Sequence, residues 1–431
     1  MTQIPLEKRV PVIDRYDVVV CGAGPAGIAA AVSSARMGKK VILLERYGII
    51  GGCLTSAHVG PTMGRVGKGA ITTEINALLG GDPSIKMAFD PEQAKIKLTN
   101  FVHAAGCKLS LQTPVVDVIM DQDTLTGVVI GTHEGLRAIH GTIFIDATGD
   151  GTVSFLAGAG YKKGRDEDGL MQPVTLMFRL NGVDESKQLH GDNWTYDIRM
   201  PKSTEAKWFR NLCVEASKSG DLPPYASLVR LYRTSRPGEC LVNASQTNFI
   251  DGTSADDIEK AEIDLREQIN TITEFLKAHV EGFENCFVQN SATTLGVRDT
   301  RRIIGEYVLT EDDLFNGRRF EDVVVHDAWF HMDIHSITGG GQTLTRVPEY
   351  DIPYRCFVPL RIEHLMTAGR CISGTHGAAA SYRIMNVCMA MGQAVGVSAS
   401  LCVDKSLTPR ALDPRAVQRT LMDCGVELFD E

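Results

Sequence analysis

The chain has 431 residues, 43% apolar and 23% charged, a composition that is typical of soluble globular proteins and long enough for two domains. Its formal net charge of −9 argues against nucleic acid or an anionic membrane surface as the main partner. We expect neither a stretch of about 18 apolar residues that would cross a bilayer nor a signal peptide, and therefore a cytoplasmic protein.

Eleven cysteines are scattered from Cys21 to Cys424, and none forms a Cys-x-x-Cys pair. The odd number and the irregular spacing argue against a disulfide framework, a structural zinc site and an iron–sulfur cluster. We therefore expect reduced cysteines that are mostly buried as small apolar residues, and no metal site.

The N-terminal segment predicts a complete βαβ unit. Residues 17–21 predict a buried strand, residues 29–38 a helix of small residues, and residues 40–44 a second strand. A G-x-G-x-x-G turn joins the first strand to the helix, and Glu45 ends the second strand 18 residues after the last glycine of the turn. This order is the fingerprint of a dinucleotide site, with the acid placed to bind ribose hydroxyls.

Each residue type in the turn has a physical reason. Gly22 permits a tight turn, Gly24 lets the backbone approach a pyrophosphate, and Gly27 lets the helix pack close to the sheet. Pro25 and Ala26 begin the helix, whose free N–H groups and positive dipole end favour phosphate. The alternative, a glycine-rich turn in an unrelated α/β protein, leaves the acid at the end of the second strand unexplained.

The next segment distinguishes FAD from NAD. An E-R pair is followed, after four residues, by a second pair of glycines. This pattern resembles the extended fingerprint of the glutathione-reductase-type FAD proteins, in which the second pair approaches the pyrophosphate and ribityl chain. The resemblance implies that the residues after it run beneath the isoalloxazine ring. The cofactor contacts it implies are Glu45, Arg46, Gly51, Gly52, Cys53 and Leu54.

A later segment resembles a third FAD-binding element of the same superfamily. Residues 142–146 predict an apolar strand that leads into an A-T-G motif, which resembles the motif that closes the FAD site. Upstream, a valine lies where such proteins pair a backbone valine with adenine. The contacts that the resemblance implies here are Val116, Ala147, Thr148, Gly149 and Asp150.

The C-terminal part supplies a fourth element. Residues 364–370 predict a strand that leads into a polar Gly/Ala/Ser loop, and a long helix of small residues is predicted from about Ile384 to Cys402. In FAD proteins of this class such a helix directs its N-terminus at the flavin N1/C2 carbonyl, where its dipole stabilises the anionic reduced flavin. The contacts implied here are Gly369, Arg370, Met385 and Asn386.

Together these motifs, which span residues 17 to about 400, resemble the FAD-dependent oxidoreductase family (FAD_oxidored). The resemblance implies an α/β fold with a glutathione-reductase-type Rossmann FAD-binding domain, and it implies bound FAD. It names no substrate. The sequence lacks the cysteine clusters of related heterodisulfide reductases, the G-D-A-A-H motif of aromatic-ring monooxygenases and a second G-x-G-x-x-G for NAD(P)H.

The middle of the chain predicts an inserted α+β substrate domain. Strand-like residues 173–182, an amphipathic helix over 255–281 and strand-like runs within 286–311 lie between the third and fourth FAD-binding elements. We expect the flavin to face the cleft between the two domains. The predicted division is 1–160 with 351–431 for the FAD-binding domain and 161–350 for the insert.

Flavin chemistry requires a group that moves a proton, and histidine suits this role at neutral pH. Residues 329–335 hold Trp329, His331, Asp333 and His335 at alternate positions, which share one face if the segment is a strand. Asp333 is placed to orient a histidine and raise its basicity. The family resemblance matches Asp-Ile-His here and favours His335. The alternative is a polar edge strand at the surface.

Other candidates flank the predicted flavin segments. His376 lies in a predicted loop before the C-terminal helix, where a catalytic role and a loop-forming role are alternatives. Arg383 is placed to bind a substrate carboxylate or to offset flavin charge. His58 is placed to line the active site; covalent FAD attachment is the alternative, although the R-S-H-T context of succinate dehydrogenase-type proteins is missing. Cys53 lacks a partner cysteine nearby, which favours a packed small residue over a redox thiol.

Arg298, Arg301 and Arg302 form either an anion site or structural ion pairs. We predict a dehydrogenase or reductase that transfers hydride between a small polar substrate and flavin N5, with His335 or His376 moving the proton. A flavin-dependent monooxygenase and a non-catalytic FAD-binding protein are the alternatives. The expected partners are the substrate, an electron donor or acceptor, and, by frequency alone, a second copy of the chain in a homodimer.

Overall fold

The computed structural model describes residues 7–60, 62–80, 89–187 and 204–429. Its strands, in chain order, are β1 Val12–Cys21, β2 Val41–Leu44, β3 Lys108–Ser110, β4 Val115–Asp121, β5 Thr124–Thr132, β6 Gly135–Asp146, β7 Tyr161–Lys163, β8 Phe178–Asn181, β9 Arg230–Arg233, β10 Cys240–Asn243, β11 Phe287–Ser291, β12 Arg301–Ile303, β13 Val323–Ala328, β14 Met332–His335, β15 Gln342–Thr345, β16 Tyr350–Pro353 and β17 Leu365–Thr367. Its α-helices are α1 Pro25–Arg36, α2 Ala70–Leu79, α3 Pro91–Ala104, α4 Thr152–Leu156, α5 Thr204–Ser219, α6 Ala255–His279, α7 Glu311–Phe315, α8 His376–Tyr382, α9 Met385–Lys405 and α10 Pro414–Asp423.

The largest sheet brings the cofactor-binding motifs to one end of its strands. Its parallel part has the order β3-β2-β1-β6-β17. Strand β5 pairs antiparallel with the first half of β6, and β4 pairs antiparallel with β5. Cys21 lies in register with Leu44 and Asp146, and Asp146 with Thr367. The loops after these four strands therefore meet at one edge, where ligands bind in open α/β folds. The predicted α/β class with a Rossmann-type parallel sheet is confirmed.

Helices α1 and α9 run side by side in the same direction. A Cβ at Gly392 would lie 2.1 Å from the Ala26 carbonyl oxygen, and a Cβ at Gly396 would lie 2.4 Å from that of Ala30, so only glycine allows this approach. Because α9 begins seven residues before Gly392 and α1 begins one residue before Ala26, the start of α9 projects roughly 9 Å beyond the start of α1 at 1.5 Å per residue.

Helix α9 corrects one expectation from the sequence. By length and composition it is apolar enough to cross a membrane, with a mean hydropathy of 1.4 over its most apolar window. However, 83% of that window is buried inside the protein, where α9 packs on α1. Its apolar character is therefore explained by its position in the core.

The insert is built on an antiparallel sheet of order β11-β8-β10-β9. Helix α6 covers this sheet with Leu265, Ile269 and Ile272, which recur at helical spacing and are buried. The Ser254 hydroxyl caps α6 by accepting a hydrogen bond from the Asp257 N–H. The predicted amphipathic helix is confirmed and ends two residues earlier than expected, at His279.

Two large apolar cores lie within the part of the chain that is described. The first joins residues between 18 and 147 to residues between 309 and 428, and the second draws on residues 174–292. The domain division at 161 and 350 stays a prediction. The buried side chains favour a shorter insert, because Leu309 and Tyr350 belong to the first core.

Two local predictions are wrong. Strand β14 begins only at Met332, so Trp329 and His331 do not share a strand face with Asp333; the Trp329 backbone instead forms an isolated bridge with Arg65. His376 does not lie in a loop. It is the first residue of α8, because the Thr375 hydroxyl caps this helix by accepting from the Ala378 N–H.

Candidate functional site

The glycine-rich turn after β1 packs tightly on one side and is open on the other. Gly22 has a φ of +98°, and a Cβ there would lie 2.5 Å from the Ala147 carbonyl oxygen. A Cβ at Gly27 would lie 1.8 Å from the Gly22 carbonyl oxygen. A Cβ at Gly24, in contrast, would meet nothing within 4 Å. The turn therefore leaves space at Gly24, where α1 begins.

No side chain caps the N–H groups in the first turn of α1. Gly24 is the N-cap residue and provides no side-chain acceptor, and the first turn, from Pro25, contains no acidic side chain. The N–H groups and the positive dipole end of such a helix favour phosphate.

Glu45 lies beside the same turn at the end of β2. Its carboxylate accepts hydrogen bonds from the N–H groups of Ala23 (2.8 Å) and Tyr47 (3.0 Å). Burial raises the pKa of Glu45 and outweighs these opposing hydrogen bonds. The neighbouring Arg46 is half exposed and approaches Asp150 Oδ2 at 3.6 Å. The acid thus lies where the βαβ fingerprint predicts a ribose contact.

The second glycine pair contacts the first glycine-rich turn. The Gly51 N–H donates to the Ala23 carbonyl oxygen at 2.7 Å, and the φ of Gly51 is +107°. A Cβ at Gly52 would lie 3.0 Å from the Gly24 Cα. A 3-10 turn starts at Gly52 and ends at the buried Leu54. The two glycine segments therefore form one continuous backbone surface around Gly24.

Cys53 lies half-buried in this 3-10 turn. Burial raises the pKa of its thiol to about 11. Burial, and then Cys53, raises the pKa of Cys388 in α9 to about 12, so a second thiol lies close enough to interact. The sequence prediction did not include this neighbour, because Cys388 lies far along the chain from Cys53. At neutral pH both groups are protonated thiols, which favours packing over redox chemistry.

The A-T-G segment after β6 is held by a buried acid. Asp146 accepts hydrogen bonds from the N–H and hydroxyl of Thr148 (3.2 and 2.7 Å) and from the N–H and hydroxyl of Ser154 (both 2.8 Å). These bonds fix the turn through Gly149, whose φ is +78°. The sequence prediction did not include Asp146, whose acidic side chain at the end of an apolar strand is the signal that was available.

Arg370 lies over this turn. Its Nη2 donates to Asp150 Oδ1 at 2.9 Å, and a Cβ at Gly149 would lie 2.5 Å from the same nitrogen. Its Nη1 is buried and has no hydrogen-bond partner in the part of the chain that is described. Such a nitrogen calls for an acceptor from a ligand. The preceding Gly369 brings the chain to Ala26, since a Cβ there would lie 3.3 Å from the Ala26 Cβ.

The start of α9 is also free of a side-chain cap, and its first turn contains no acidic side chain. Met385 is buried. The Asn386 amide donates to the Gly64 carbonyl oxygen at 2.8 Å and accepts from Asn76 Nδ2 at 3.0 Å. Its side chain therefore joins α9 to α2. The Asn386 N–H donates to the Met63 carbonyl oxygen at 3.3 Å, so the other backbone N–H groups of the first turn are what the helix start offers to a cofactor.

Val116 lies at a β-bulge between Val115 and Asp117, where the register of β4 against β5 shifts. The backbone of a bulged residue lies outside the regular ladder, so it can pair with another group. The side chain is exposed. This geometry favours the contact with adenine that the resemblance implies.

These features fit FAD. The open space at Gly24, the uncapped start of α1 and the unpartnered Arg370 nitrogen suit the phosphate and ribityl part, and the start of α9 suits the flavin end. We propose that the residues that hold the cofactor are Gly22, Gly24, Pro25, Ala26, Gly27, Glu45, Arg46, Gly51, Gly52, Cys53, Leu54, Val116, Ala147, Thr148, Gly149, Asp150, Gly369, Arg370, Met385 and Asn386.

Asp333 and His335 lie on one face of β14, with Asp333 Oδ2 at 3.6 Å from His335 Nε2. Gln342 Nε2 donates to Asp333 Oδ1 at 2.8 Å. Burial raises the pKa of Asp333, but the contact with His335 and the charges of Arg383 and Arg298 outweigh burial and hold it below its usual range. The ionised carboxylate therefore orients the imidazole.

Asp333 acts to raise the pKa of His335, as predicted, but other groups outweigh it. Burial, and then the charge of Arg298, lowers the pKa of His335 below its usual range, and the opposing contact with Asp333 does not compensate. His335 is thus a neutral imidazole at neutral pH. The lowered pKa makes the ring a weaker base than a free imidazole, and a proton that it takes from a substrate is readily given up again.

His335 lines a small polar cavity. Arg298 reaches the same cavity, and its Nη1 donates to the Pro173 carbonyl oxygen at 2.7 Å. Burial, and then Arg383, lowers the pKa of Arg298 to about 9, which leaves the guanidinium protonated at neutral pH. Further polar residues of the lining are Tyr225, Arg230, Asn243, Ser245 and Gln246.

Arg383 connects the cavity to the start of α9. Its Nη2 donates to the Asp333 carbonyl oxygen at 3.1 Å and lies 3.4 Å from Oδ2 of the same residue. The next residue, Ile384, is the N-cap of α9. The cavity is therefore linked to the proposed flavin end through Asp333 and Arg383. Elsewhere the insert contacts the segment after the second glycine pair, since the Thr293 N–H donates to the Ser56 carbonyl oxygen at 2.7 Å.

His376 is not among the residues that line the cavity. Its Nδ1 is 2.9 Å from Asp299 Oδ2, although the approach does not have the angles of a hydrogen bond. Asp299 Oδ1 accepts from Arg302 Nη1 at 2.8 Å. Arg302 therefore forms a structural ion pair, whereas Arg301 stacks over the Phe155 ring at 4.1 Å. Of the three predicted arginines, Arg298 reaches the cavity.

His58 and His331 have separate surroundings. His58 is buried with a φ of +54°, and burial, followed by Arg179 of the insert, lowers its pKa to about 4. Its role in lining the active site stays a prediction. The His331 ring lies 5.0 Å from that of Trp329, which in turn stacks with Arg65. His331 therefore belongs to an aromatic cluster.

One group of possible metal ligands occurs among the described residues. The ligand atoms of His326, Asp327 and Asp351 lie within 4.8 Å of one another. Arg319 donates to Asp351 Oδ1 at 2.7 Å and lies 2.6 Å from Asp327 Oδ1. The guanidinium supplies the positive charge that a cation would bring, so we interpret the group as an ion-pair cluster.

Sequence reasoning missed several side chains around the cavity. Arg230 and Gln342 hydrogen-bond to each other, and Gln172 Oε1 accepts from the His335 N–H at 3.1 Å. They come from separate segments without a motif, and no local pattern marks them. Asp299, next to the predicted arginine cluster, carried the one available signal.

Comparisons with known proteins agree with this geometry. A family model described as FAD dependent oxidoreductase matches residues 17–421. The tRNA uridine 5-carboxymethylaminomethyl modification enzyme MnmG of Alkaliphilus oremlandii is 28% identical over 193 residues, which cover 39% of this chain and 29% of that protein. Dihydrolipoyl dehydrogenase of Zymomonas mobilis is 33% identical over 132 residues, which cover 29% of this chain and 28% of that protein. The chain therefore spans less than a third of the length of these two relatives.

A solved structure shows the same fold. A geranylgeranyl bacteriochlorophyll reductase-like protein from Thermoplasma acidophilum is 14% identical and superposes with a TM-score of 0.50, covering 96% of this chain and 84% of that chain. The family match extends over nearly the whole chain and includes every cofactor-binding segment described above. The chain belongs to the FAD dependent oxidoreductase family (FAD_oxidored), and its cofactor is FAD.

Proposed function

We propose that the protein oxidises a small polar substrate by hydride transfer to flavin N5, with His335 as the base that takes the substrate's proton. The observation that carries the proposal is the buried, neutral imidazole of His335 in a polar cavity next to the start of α9. Bound FAD supplies a two-electron acceptor of hydride. The substrate's C–H bond breaks, its O–H or N–H proton leaves, and a C=O or C=N bond forms.

Two side chains support the role of His335. Asp333 fixes the ring through the contact with Nε2 at 3.6 Å, which leaves Nδ1 to accept the proton. Gln342 holds Asp333 in place. The ring is neutral at neutral pH, so it does not hold the imidazolium proton that double-bond reduction would need, and the contact with Asp333 stabilises the imidazolium that forms when the ring takes a proton. We further propose that the protein is cytoplasmic, that it acts on a small molecule and passes electrons to a separate acceptor, and that it forms a homodimer.

The test compares flavin reduction in variants. The purified holoprotein is mixed anaerobically with a panel of alcohols, amines and hydroxy acids, and bleaching of the flavin absorption is followed by stopped flow. With a compound that bleaches the wild type, His335→Asn should lower the reduction rate by about 100-fold or more, the order of a lost general base. Its FAD content should be unchanged. His103→Asn, at an exposed site on α3, is the matched control.

The alternatives give different results. If His376→Asn slows reduction and His335→Asn does not, the base is His376. Consumption of oxygen in step with NAD(P)H, with a hydroxylated product, would identify a monooxygenase. FAD that stays oxidised with every compound would favour the non-catalytic FAD-binding protein.

A further inference from the structure

Arg383 lies between the start of α9 and the Asp333–His335 pair. It is the C-cap residue of α8, where its N–H donates to the Ala379 carbonyl oxygen at 3.2 Å. The next residue, Ile384, is the N-cap of α9. The side chain is only 11% exposed. The ends of two helices therefore fix the backbone of Arg383, and its guanidinium group is buried.

One nitrogen of this guanidinium holds Asp333. Nη2 donates to the Asp333 carbonyl oxygen at 3.1 Å and lies 3.4 Å from Oδ2. The same Oδ2 lies 3.6 Å from His335 Nε2, and Oδ1 accepts from Gln342. Asp333 is therefore held by Arg383 on one side and by Gln342 on the other, and this position is what orients His335.

A second nitrogen of the guanidinium, Nε, is buried and makes no hydrogen bond to any of the described residues. A buried N–H group without a partner is costly, so it calls for an acceptor from a ligand. The guanidinium is a rigid plane, so a ligand that binds Nε also fixes the position of Nη2. Arg383 can therefore bind a ligand and Asp333 at the same time.

The guanidinium of Arg383 lies near the cofactor-binding edge. Burial raises the pKa of the Cys53 thiol, and the charges of Arg370 and Arg383 oppose this rise, so both lie near the residue that follows Gly52. The same two charges oppose the burial that raises the pKa of Cys388, in the first turn of α9. Arg383 therefore lies at the proposed flavin end of the site.

We propose that Arg383 is a positioning residue that ties the bound flavin to the Asp333–His335 pair: Nε donates to an acceptor atom of the flavin, and Nη2 holds Asp333. This inference rests on the proposed function for the role of His335. Flavin that has taken up hydride carries more negative charge, and hydrogen bonds to charged acceptors are stronger. Arg383 therefore raises the reduction potential of the bound FAD.

The reduction potential tests this link without any substrate. The holoprotein, freed of unbound FAD, is reduced anaerobically in equilibrium with a reference dye of known potential. Arg383→Gln should make reduction of the bound FAD about tenfold less favourable, the low end for loss of a hydrogen bond to a charged acceptor. For a two-electron couple this is a fall of about 30 mV.

Two further variants complete this measurement. Arg383→Lys keeps the charge without the planar fork and should give a smaller fall in potential. It also keeps the test valid if Arg383→Gln does not fold. The matched control is Arg266→Gln, at an exposed arginine of α6 that pairs with Glu262, and its potential should equal that of the wild type.

A double-mutant cycle tests whether the link reaches Asp333. Asp333→Asn is measured alone and together with Arg383→Gln, and we expect the two shifts in potential not to add, because the carboxylate acts on the flavin through the guanidinium. If the Arg383 variants lose FAD, the same cycle is measured as FAD affinity by fluorescence titration of the apoproteins. Additive shifts, or an Arg383→Gln potential equal to that of the wild type, would overturn the inference.

The two proposals fail in different ways. If the cycle shows the link but no compound bleaches the flavin, Arg383 positions Asp333 and the oxidation reaction is wrong. If a compound bleaches the flavin and His335→Asn stops it, while Arg383→Gln changes neither the potential nor the reduction rate, the reaction stands and the link is wrong.

Discussion

The cofactor-binding edge and the cavity of the insert are built in opposite ways. At the edge, the backbone makes the site: glycines at 22, 27 and 52 bring main-chain atoms into contact, the glycine at 24 leaves open space, and helix starts supply donors. In the cavity, side chains make the site: Arg230, Arg298 and His335 come from three separate segments. A backbone site has a sequence motif because only glycine permits it, whereas a side-chain site has none.

The largest expected effects come from alanine substitutions at two glycines of the same turn, one of which should lower stability and the other FAD binding. Gly27→Ala places a Cβ against the Gly22 carbonyl oxygen, so we expect the apoprotein to lose about 3 kcal/mol of unfolding free energy. Gly24→Ala places a methyl group in open space, with a φ of −77° that alanine adopts readily. Its apoprotein should keep its stability and bind FAD about tenfold more weakly or worse, because the methyl group occupies cofactor space.

Urea unfolding of the two apoproteins and fluorescence titration with FAD measure these effects. If Gly24→Ala destabilises the apoprotein as much as Gly27→Ala does, the turn is not divided into a packed side and a ligand side. If Gly24→Ala binds FAD like the wild type, the open space does not hold the cofactor.

The same contrast explains how much the sequence could predict. The turn at Gly22, the acid at Glu45 and the small-residue helix from Met385 were predicted because local spacing fixes each of them. The extent of β14 was not predicted, because Trp329 pairs with Arg65, far along the chain. The protonation of His335 was not predicted either, because it depends on burial and on Arg298 from another segment.

A smaller effect is expected where the two regions meet, at His58. Its pKa of about 4 in the folded protein lies below the ordinary value of 6.5, because burial disfavours the charged imidazole. Between these values the unfolded chain binds a proton that the folded protein does not. The contribution of the neutral His58 to the free energy of unfolding is therefore complete above pH 6.5. It is lost as the pH falls toward 4, by about 1.4 kcal/mol per pH unit at most.

His58→Asn should remove this part of the pH dependence, and asparagine tolerates the positive φ at this position. The measurement is urea unfolding of the holoprotein between pH 4 and 7, and the slope against pH is compared with that of the wild type. His103→Asn, an exposed histidine of α3, should leave the slope unchanged. A His58→Asn slope equal to the wild-type slope would show that the pKa of His58 is the same in the folded and the unfolded protein.

The smallest effect is expected from Cys53, which tests whether the backbone-built region also contributes side-chain chemistry. Its pKa of about 11 keeps it a thiol, so iodoacetamide at neutral pH should label the exposed Cys424 first and spare Cys53. Cys53→Ser should change the rate of flavin reduction by less than about twofold, because packing and not thiolate reactivity defines the position. Mass spectrometry of labelled peptides and stopped-flow reduction measure the two outcomes. Fast labelling of Cys53, or a large loss of the flavin reduction rate in both Cys53→Ser and Cys388→Ser, would instead identify a redox thiol pair at the flavin. The cofactor-binding edge would then also use side-chain chemistry, and the contrast with the cavity would not hold.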